Sequence, residues 1–225
     1  MGKLYECVRF CVRPFLKVKK AAFAEPVGEE PVIFLANHLG ALGPMYMAAT
    51  FPFGDEVVIW CNEGMMDEKL VVDYVRHDWW WRPESKLAPV YSATIPYIAK
   101  LIVPKVLRSA PTIAVCRDAR VMTTMRRSLK ALKEGKHLVI FPELPDGFDS
   151  HAEHLQMGWL NLVSMYHKAT GKVIRMMPVY IDEKSGLFRV EKAITADPDI
   201  PVKEQETRIE RYLAAGIRGK LSTKD

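Results

Sequence analysis

Residues 31 to 45 read Pro31-Val-Ile-Phe-Leu-Ala-Asn37-His38-Leu-Gly40-Ala-Leu-Gly43-Pro44-Met45, an apolar run that stops at an Asn-His pair and gives way to small residues. Val32, Ile33, Phe34 and Leu35 have the β-branched and aromatic content of a strand buried on both faces, and the run is too short for a helix. His38 therefore stands where a buried strand ends. In open α/β sheets, functional groups gather in the crevice beyond the carboxyl ends of the strands, where helix N-termini also point. A histidine that only hydrogen-bonds a loop would satisfy the same pattern.

Outward from this stretch, strands and helices alternate. Glu56-Val-Val-Ile-Trp60, Thr112-Ile-Ala-Val-Cys116 and His137-Leu-Val-Ile-Phe141 read as further strands, followed by Val173 to Ile181 and a short one at Leu187 to Val190. Helices are expected at residues 44–50, 62–78, 121–134, 155–169 and 202–214. Arg126, Arg127, Lys130 and Lys133 give the third of these a solvated basic face, with Gly135 closing it. The alternation predicts an α/β fold, with a mixed, largely parallel sheet flanked by helices. At 225 residues and 49% hydrophobic content, the chain has enough apolar material for one such domain, expected over residues 25–225.

Residues 1–24 read differently. Leu4, Val8, Cys11, Phe15 and Val18 recur at steps of three and four, and Arg9, Arg13, Lys17 and Lys20 follow another stripe. This is the pattern of a basic amphipathic helix, kinked at Pro14, that can lie in a membrane interface. A terminal helix packed on the domain with its basic face in water has the same pattern. The first 20 residues carry the whole formal charge of +5, which leaves the rest of the chain neutral. A basic end on a neutral body argues against a nucleic-acid partner and for an anionic membrane surface.

Cys7, Cys11, Cys61 and Cys116 form no C-x-x-C pair or framework, which fits thiols in a reducing compartment. Cys7 and Cys11 carry a weak signal for acylation. Arg9 and Arg13 interrupt the apolar N-terminal stretch, so no cleavable signal peptide is expected. Pro89, Pro96, Pro104, Lys100 and Lys105 argue against a simple membrane span over Leu87 to Leu107. Trp79, Trp80 and Trp81 suit a membrane interface, and equally a core and a loop.

Three strands end in polar groups: the first in Asn37-His38, the third in Arg117-Asp118, the fourth in Pro142-Glu143. If these strands run parallel, a base, a cation and a carboxylate share one edge of the sheet. That set suits transfer to a hydroxyl of an anionic substrate, with His38 taking the proton and Arg117 holding a phosphate.

In order and spacing, Asn37-His38, Arg117, Phe141-Pro142-Glu143 and Met177-Pro178-Val179 resemble the four blocks of the glycerophospholipid acyltransferase family, which includes the 1-acylglycerol-3-phosphate acyltransferases. Gln156-Met157-Gly158 resembles the segment after the third block, and the likeness covers roughly residues 30 to 195. The resemblance implies that His38 is the general base, that Asn37, Arg117 and Glu143 belong to the substrate site with glycerol phosphate held by Arg117 and Glu143, and that Pro178 supports the acyl end. It implies a phospholipid-biosynthetic enzyme, peripheral on the cytoplasmic face of the membrane. Its acceptor would be a lysophospholipid or glycerol phosphate. Its donor would be acyl-CoA, acyl carrier protein or acyl phosphate, with no bound cofactor and no metal.

The chain also departs from that pattern. Where the family has the Asp that orients the His, this chain has Gly43, and the third block continues Leu144-Pro145-Asp146 in place of Gly-Thr-Arg. In a serine-protease triad, neutralising the corresponding carboxylate costs roughly 10⁴ in turnover. An active enzyme therefore needs a substitute among Asp118, Glu143 and Asp146, and Asp146 is the expected partner of His38 because its loop is the one that diverges. Without a substitute, the chain reads as a catalytically silent lipid-binding module. His151-Ala-Glu-His154 lacks the H-E-x-x-H order and a third ligand, and no P-loop, G-x-G-x-x-G or G-x-S-x-G motif is present.

Overall fold

The computed structural model describes residues 2–77, 80–82, 84–116, 118–143 and 155–221. Seven strands form one sheet: β1 (Lys20–Phe23), β2 (Val32–Ala36), β3 (Val57–Asn62), β4 (Thr112–Val115), β5 (His137–Ile140), β6 (Arg175–Asp182) and β7 (Leu187–Val190). Their order is β1-β7-β6-β2-β5-β3-β4. The five strands from β6 to β4 are mutually parallel, while β7 runs antiparallel to β6 and carries β1 along its outer edge. The expected mixed, largely parallel α/β sheet is therefore present. Every residue of β2 is buried, as its unbroken apolar sequence requires of a central parallel strand.

Helices cover both faces. Ile33 and Leu35 of β2 join the core made with α5 (Val121–Lys133), α6 (Asn161–Thr170) and α7 (Val202–Ile217). Val32, Phe34 and Ala36 point the other way, into a core shared with α2 (Leu42–Ala49). On that side, α1 (Lys3–Val12) packs against α4 (Ala88–Ser109), which also packs on α3 (Val71–His77). Arg126, Arg127, Lys130 and Lys133 are exposed on α5, as expected of its polar face. Gly171 adopts a left-handed conformation at φ 70° and ends α6, donating its N–H to the His167 carbonyl at 2.8 Å.

The N-terminal segment departs most from expectation. Its helix ends at Val12, a 3-10 turn spans Arg13–Phe15, and residues 20–23 are a strand. Pro14, with no N–H, sits in that turn. Val18 belongs to no helical stripe and is fully buried in the core beside Phe188. The expected helix over residues 62–78 is a 3-10 turn at Glu63–Met66 followed by α3. Residues 87–107, rich in proline, fall within the single 22-residue α4 apart from Leu87, with Pro96 and Pro104 inside the helix and buried.

At the amino end of the sheet, His137 ties β5 to β2. Its Nδ1 accepts the Val32 N–H at 3.1 Å, and Phe34 and Phe53 meet its ring edge-on. Burial lowers its pKa from the ordinary 6.5. The unfolded chain takes up this proton near pH 6.5 and the folded chain does not. The stability it contributes is therefore complete above that pH and declines as pH falls toward the lowered folded value. Urea denaturation midpoints should drop between pH 7 and pH 5, and His137→Gln, which keeps an acceptor but does not titrate, should flatten that drop.

Candidate active site

Strands β2 and β5 are neighbours, with Leu35 opposite Ile140. Continuing that register places His38 beside Glu143 just beyond the sheet. The His38 backbone N–H donates to Glu143 Oε2 at 2.7 Å. Glu143 is 3% exposed, so this buried bond anchors the turn that carries the imidazole. Asn37 holds the other side. Its Oδ1 accepts the Ile181 N–H at 2.6 Å and its Nδ2 donates to the Ile181 carbonyl at 3.4 Å, continuing the β2–β6 ladder through a side chain. Asn37 thus clamps the strand end from β6, and its side-chain amide is engaged there.

The His38 ring is half-buried and meets Phe141 edge-on at 5.3 Å, and its Nδ1 has no hydrogen-bond partner among the described residues. Burial lowers its pKa to about 4, which leaves the imidazole neutral at physiological pH. Of the three carboxylates expected near it, Asp118 is held by Arg120 at 2.7–3.0 Å on the surface. Glu143 meets the backbone of His38. Asp146 lies outside the described residues, as do Arg117, His151 and His154. Gly43, in the first turn of α2, does adjoin His38: a Cβ there would lie 3.6 Å from His38 Cα, 3.2 Å from the Asn37 carbonyl and 3.4 Å from Phe141 Cε1. A side chain at this position adjoins the His38 backbone and is tightly surrounded.

His38, Phe141, Pro142 and Glu143 line a cavity of about 800 Å³. Tyr5, Val8 and Val12 of α1, Met45 and Ala48 of α2, and Ile102, Val103 and Val106 of α4 make one of its walls, and Trp80 also reaches it. Two contacts fasten α1 over this space: Tyr5 Oη donates to the Ala48 carbonyl at 2.9 Å, and Arg9 pairs with Asp55 at 2.9 Å. Pro178 is elsewhere. It lies in β6 opposite Leu35 and faces α7, where a Cβ on Gly216 would collide with its ring. It therefore supports helix packing and lines no part of this cavity.

The strand preceding Arg117, β4, shares the carboxyl edge, but β5 and β3 separate it from β2. Three strand spacings amount to roughly 14 Å. Between them stands a cluster that strand-end reading missed. Glu63 follows β3, accepts from Cys116 Sγ at 3.4 Å and pairs with Arg120 at 2.8 Å. Asn62-Glu63 is a fourth polar strand end, so the signal was present in the sequence. Among the described residues, no group of three or more His, Cys, Asp or Glu is arranged to hold a metal ion.

The outer surface beside the cavity is apolar. Phe10 and Phe15 are 80% and 85% exposed, and Leu4, Cys7 and Cys11 are also exposed. On α4, Val90, Tyr97, Ile98 and Leu101 face outward, and that helix is long and apolar enough to cross a membrane by length and composition. Compared with known protein families, curated proteins and solved structures, the chain matches none.

The environment of His38 gives a direct test. Its ring protons should titrate near pH 4 by NMR, and Gly43→Asp should move that titration upward by placing an anion beside the ring.

Proposed function

We propose that the protein transfers a fatty acyl group from an activated donor to the hydroxyl of a lysophospholipid or glycerol phosphate at a membrane surface. The observation that carries this reading is the neutral imidazole of His38, locked at a strand end by Glu143 and lining a large apolar cavity. A volume of about 800 Å³ lies within the range of about 300–1,000 Å³ usual for small-molecule sites. His38 takes the acceptor's hydroxyl proton as the oxygen bonds to the acyl carbon. The bond from that carbon to the donor's sulfur or phosphate oxygen then breaks, and the proton passes to the leaving group. The four-block resemblance supports the same assignment and reserves phosphate binding for Arg117.

A second reading, a catalytically silent lipid-binding module, has its own support. With Nδ1 unpartnered and a pKa near 4, His38 gains little from accepting a proton, whereas general bases work best near the operating pH. Acyl transfer to lysophosphatidic acid, assayed with acyl-CoA, acyl carrier protein and acyl phosphate donors, separates the two. The enzyme reading expects His38→Ala to lower turnover by roughly 10² to 10⁴. Absence of turnover with any donor, alongside retained lipid binding, supports the silent module.

The membrane part of the proposal is supported by the exposed aromatics of α1 and the adjoining turn, the outward apolar residues of α4, and the exposed Lys3, Arg13, Lys17, Lys19 and Lys20. Deleting residues 1–20 would remove a cavity wall and buried Val18, so the informative variant is the double substitution Phe10→Ser and Phe15→Ser. It should weaken sedimentation with anionic vesicles without lowering the melting temperature, and added salt should weaken binding of the unaltered protein.

A further inference from the structure

The cavity takes its walls from both faces of the sheet. Ile59 belongs to the core on the α2 side, whereas Met125, Ile140 and Trp159 belong to the core beneath α5, α6 and α7, and all four line the cavity. The cavity therefore passes over the carboxyl edge and has an arm on each face, with His38, Phe141 and Glu143 around the crossing. On the acyl-transfer reading, the transferred chain would take one arm.

The other arm holds an unpartnered donor. Trp159 is 3% exposed, and its indole Nε1 has no hydrogen-bond partner among the described residues. Trp60, by comparison, donates to Ser128 Oγ at 2.8 Å. The segment carrying Trp159 is tied to the site: Leu155 bridges Glu143, and the Gln156 N–H donates to the Pro142 carbonyl at 2.8 Å. A 3-10 turn at Gly158–Leu160 then sets the indole into the cavity wall. A buried N–H without an acceptor destabilises the empty protein, and an oxygen supplied by a ligand removes that cost. Phenylalanine would fill such a position without it.

We propose that the arm on the α5 and α6 side receives the acceptor's own hydrocarbon chain, and that the Trp159 indole N–H donates to the ester carbonyl at the head of that chain. The acceptor is then a single-chain lysolipid, not water-soluble glycerol phosphate. This rests on the acyl-transfer reading and chooses between its two acceptors. Trp159 is a positioning residue: it fixes the depth of the lipid, so that the free hydroxyl lies at the crossing where His38 stands.

The test is a binding measurement on the full chain, by calorimetry below the micellar concentration. The probes are 1-oleoyl-lysophosphatidic acid, an ether-linked analogue of equal chain length that lacks the carbonyl, and glycerol 3-phosphate. Wild type should bind the ester about 10-fold more tightly than the ether, and Trp159→Phe should bind both alike. Trp159→Phe should melt at or above the wild-type temperature without ligand, whereas a packing role alone would lower the melting temperature and weaken both lipids equally. Retained ester preference in Trp159→Phe, no ester preference in wild type, or glycerol 3-phosphate binding as tight as the lysolipid overturns the inference. These readouts need no turnover, so a catalytically silent protein can still satisfy them. Failure of wild type to bind any lipid overturns both readings.

Discussion

The hydrogen bond from the His38 backbone to Glu143 depends on two parallel strands ending at one level. β2 and β5 are far apart in sequence, and only their side-by-side pairing brings the two residues together. β2 itself is held at both ends, by β5 at its start and by β6 at its finish. His137 accepts the first N–H of β2, and beyond the last residue of β2 the Asn37 side chain pairs with Ile181. A slip of one residue would turn the alternating faces of β2 inside out, sending Phe34 into the α5–α7 core. The placement of the imidazole is thus a consequence of register.

The same constraint explains the unusual electrostatics of His38. A ring packed on Phe141 is desolvated, and no described group supplies a compensating hydrogen bond at Nδ1. Desolvation alone then sets the direction of its pKa shift. The carboxylate that hydrogen-bonds His38 does so through the backbone, which orients the turn but leaves the ring's basicity unsupported. Position 43 has the right neighbour and little room, because Asn37 and Phe141 close in on it.

The N-terminal helix shows why amphipathic spacing has more than one solution. Tyr5, Val8 and Val12 turn inward and wall the cavity, and Arg9 is engaged by Asp55. The outer surface is then left with Leu4, Cys7, Phe10 and Cys11, all exposed. The helix is apolar on two sides, and the stripe of threes and fours mixed them, joining inward Val8 to outward Leu4 and Cys11. Lys3 at the start of the helix, and Arg13, Lys17, Lys19 and Lys20 beyond it, supply the exposed cations.

Local pattern was enough to mark the strands and most of the helices, because burial on both faces and helical periodicity are written in consecutive residues. β7 falls on its expected residues, and α5 and α7 begin where expected. β1, four residues with a largely exposed pattern, carries no such signature and exists through its pairing with β7. Strand ends could likewise be read as polar, and His38 and Glu143 were found that way. Their contact, the distance to β4, the turning of Asn37 and Pro178 away from the cavity, and the unpartnered nitrogens of His38 and Trp159 were decided by the tertiary structure. A parallel sheet orders its strands through long crossovers, so which ends become neighbours depends on packing between distant segments and not on any single stretch of chain.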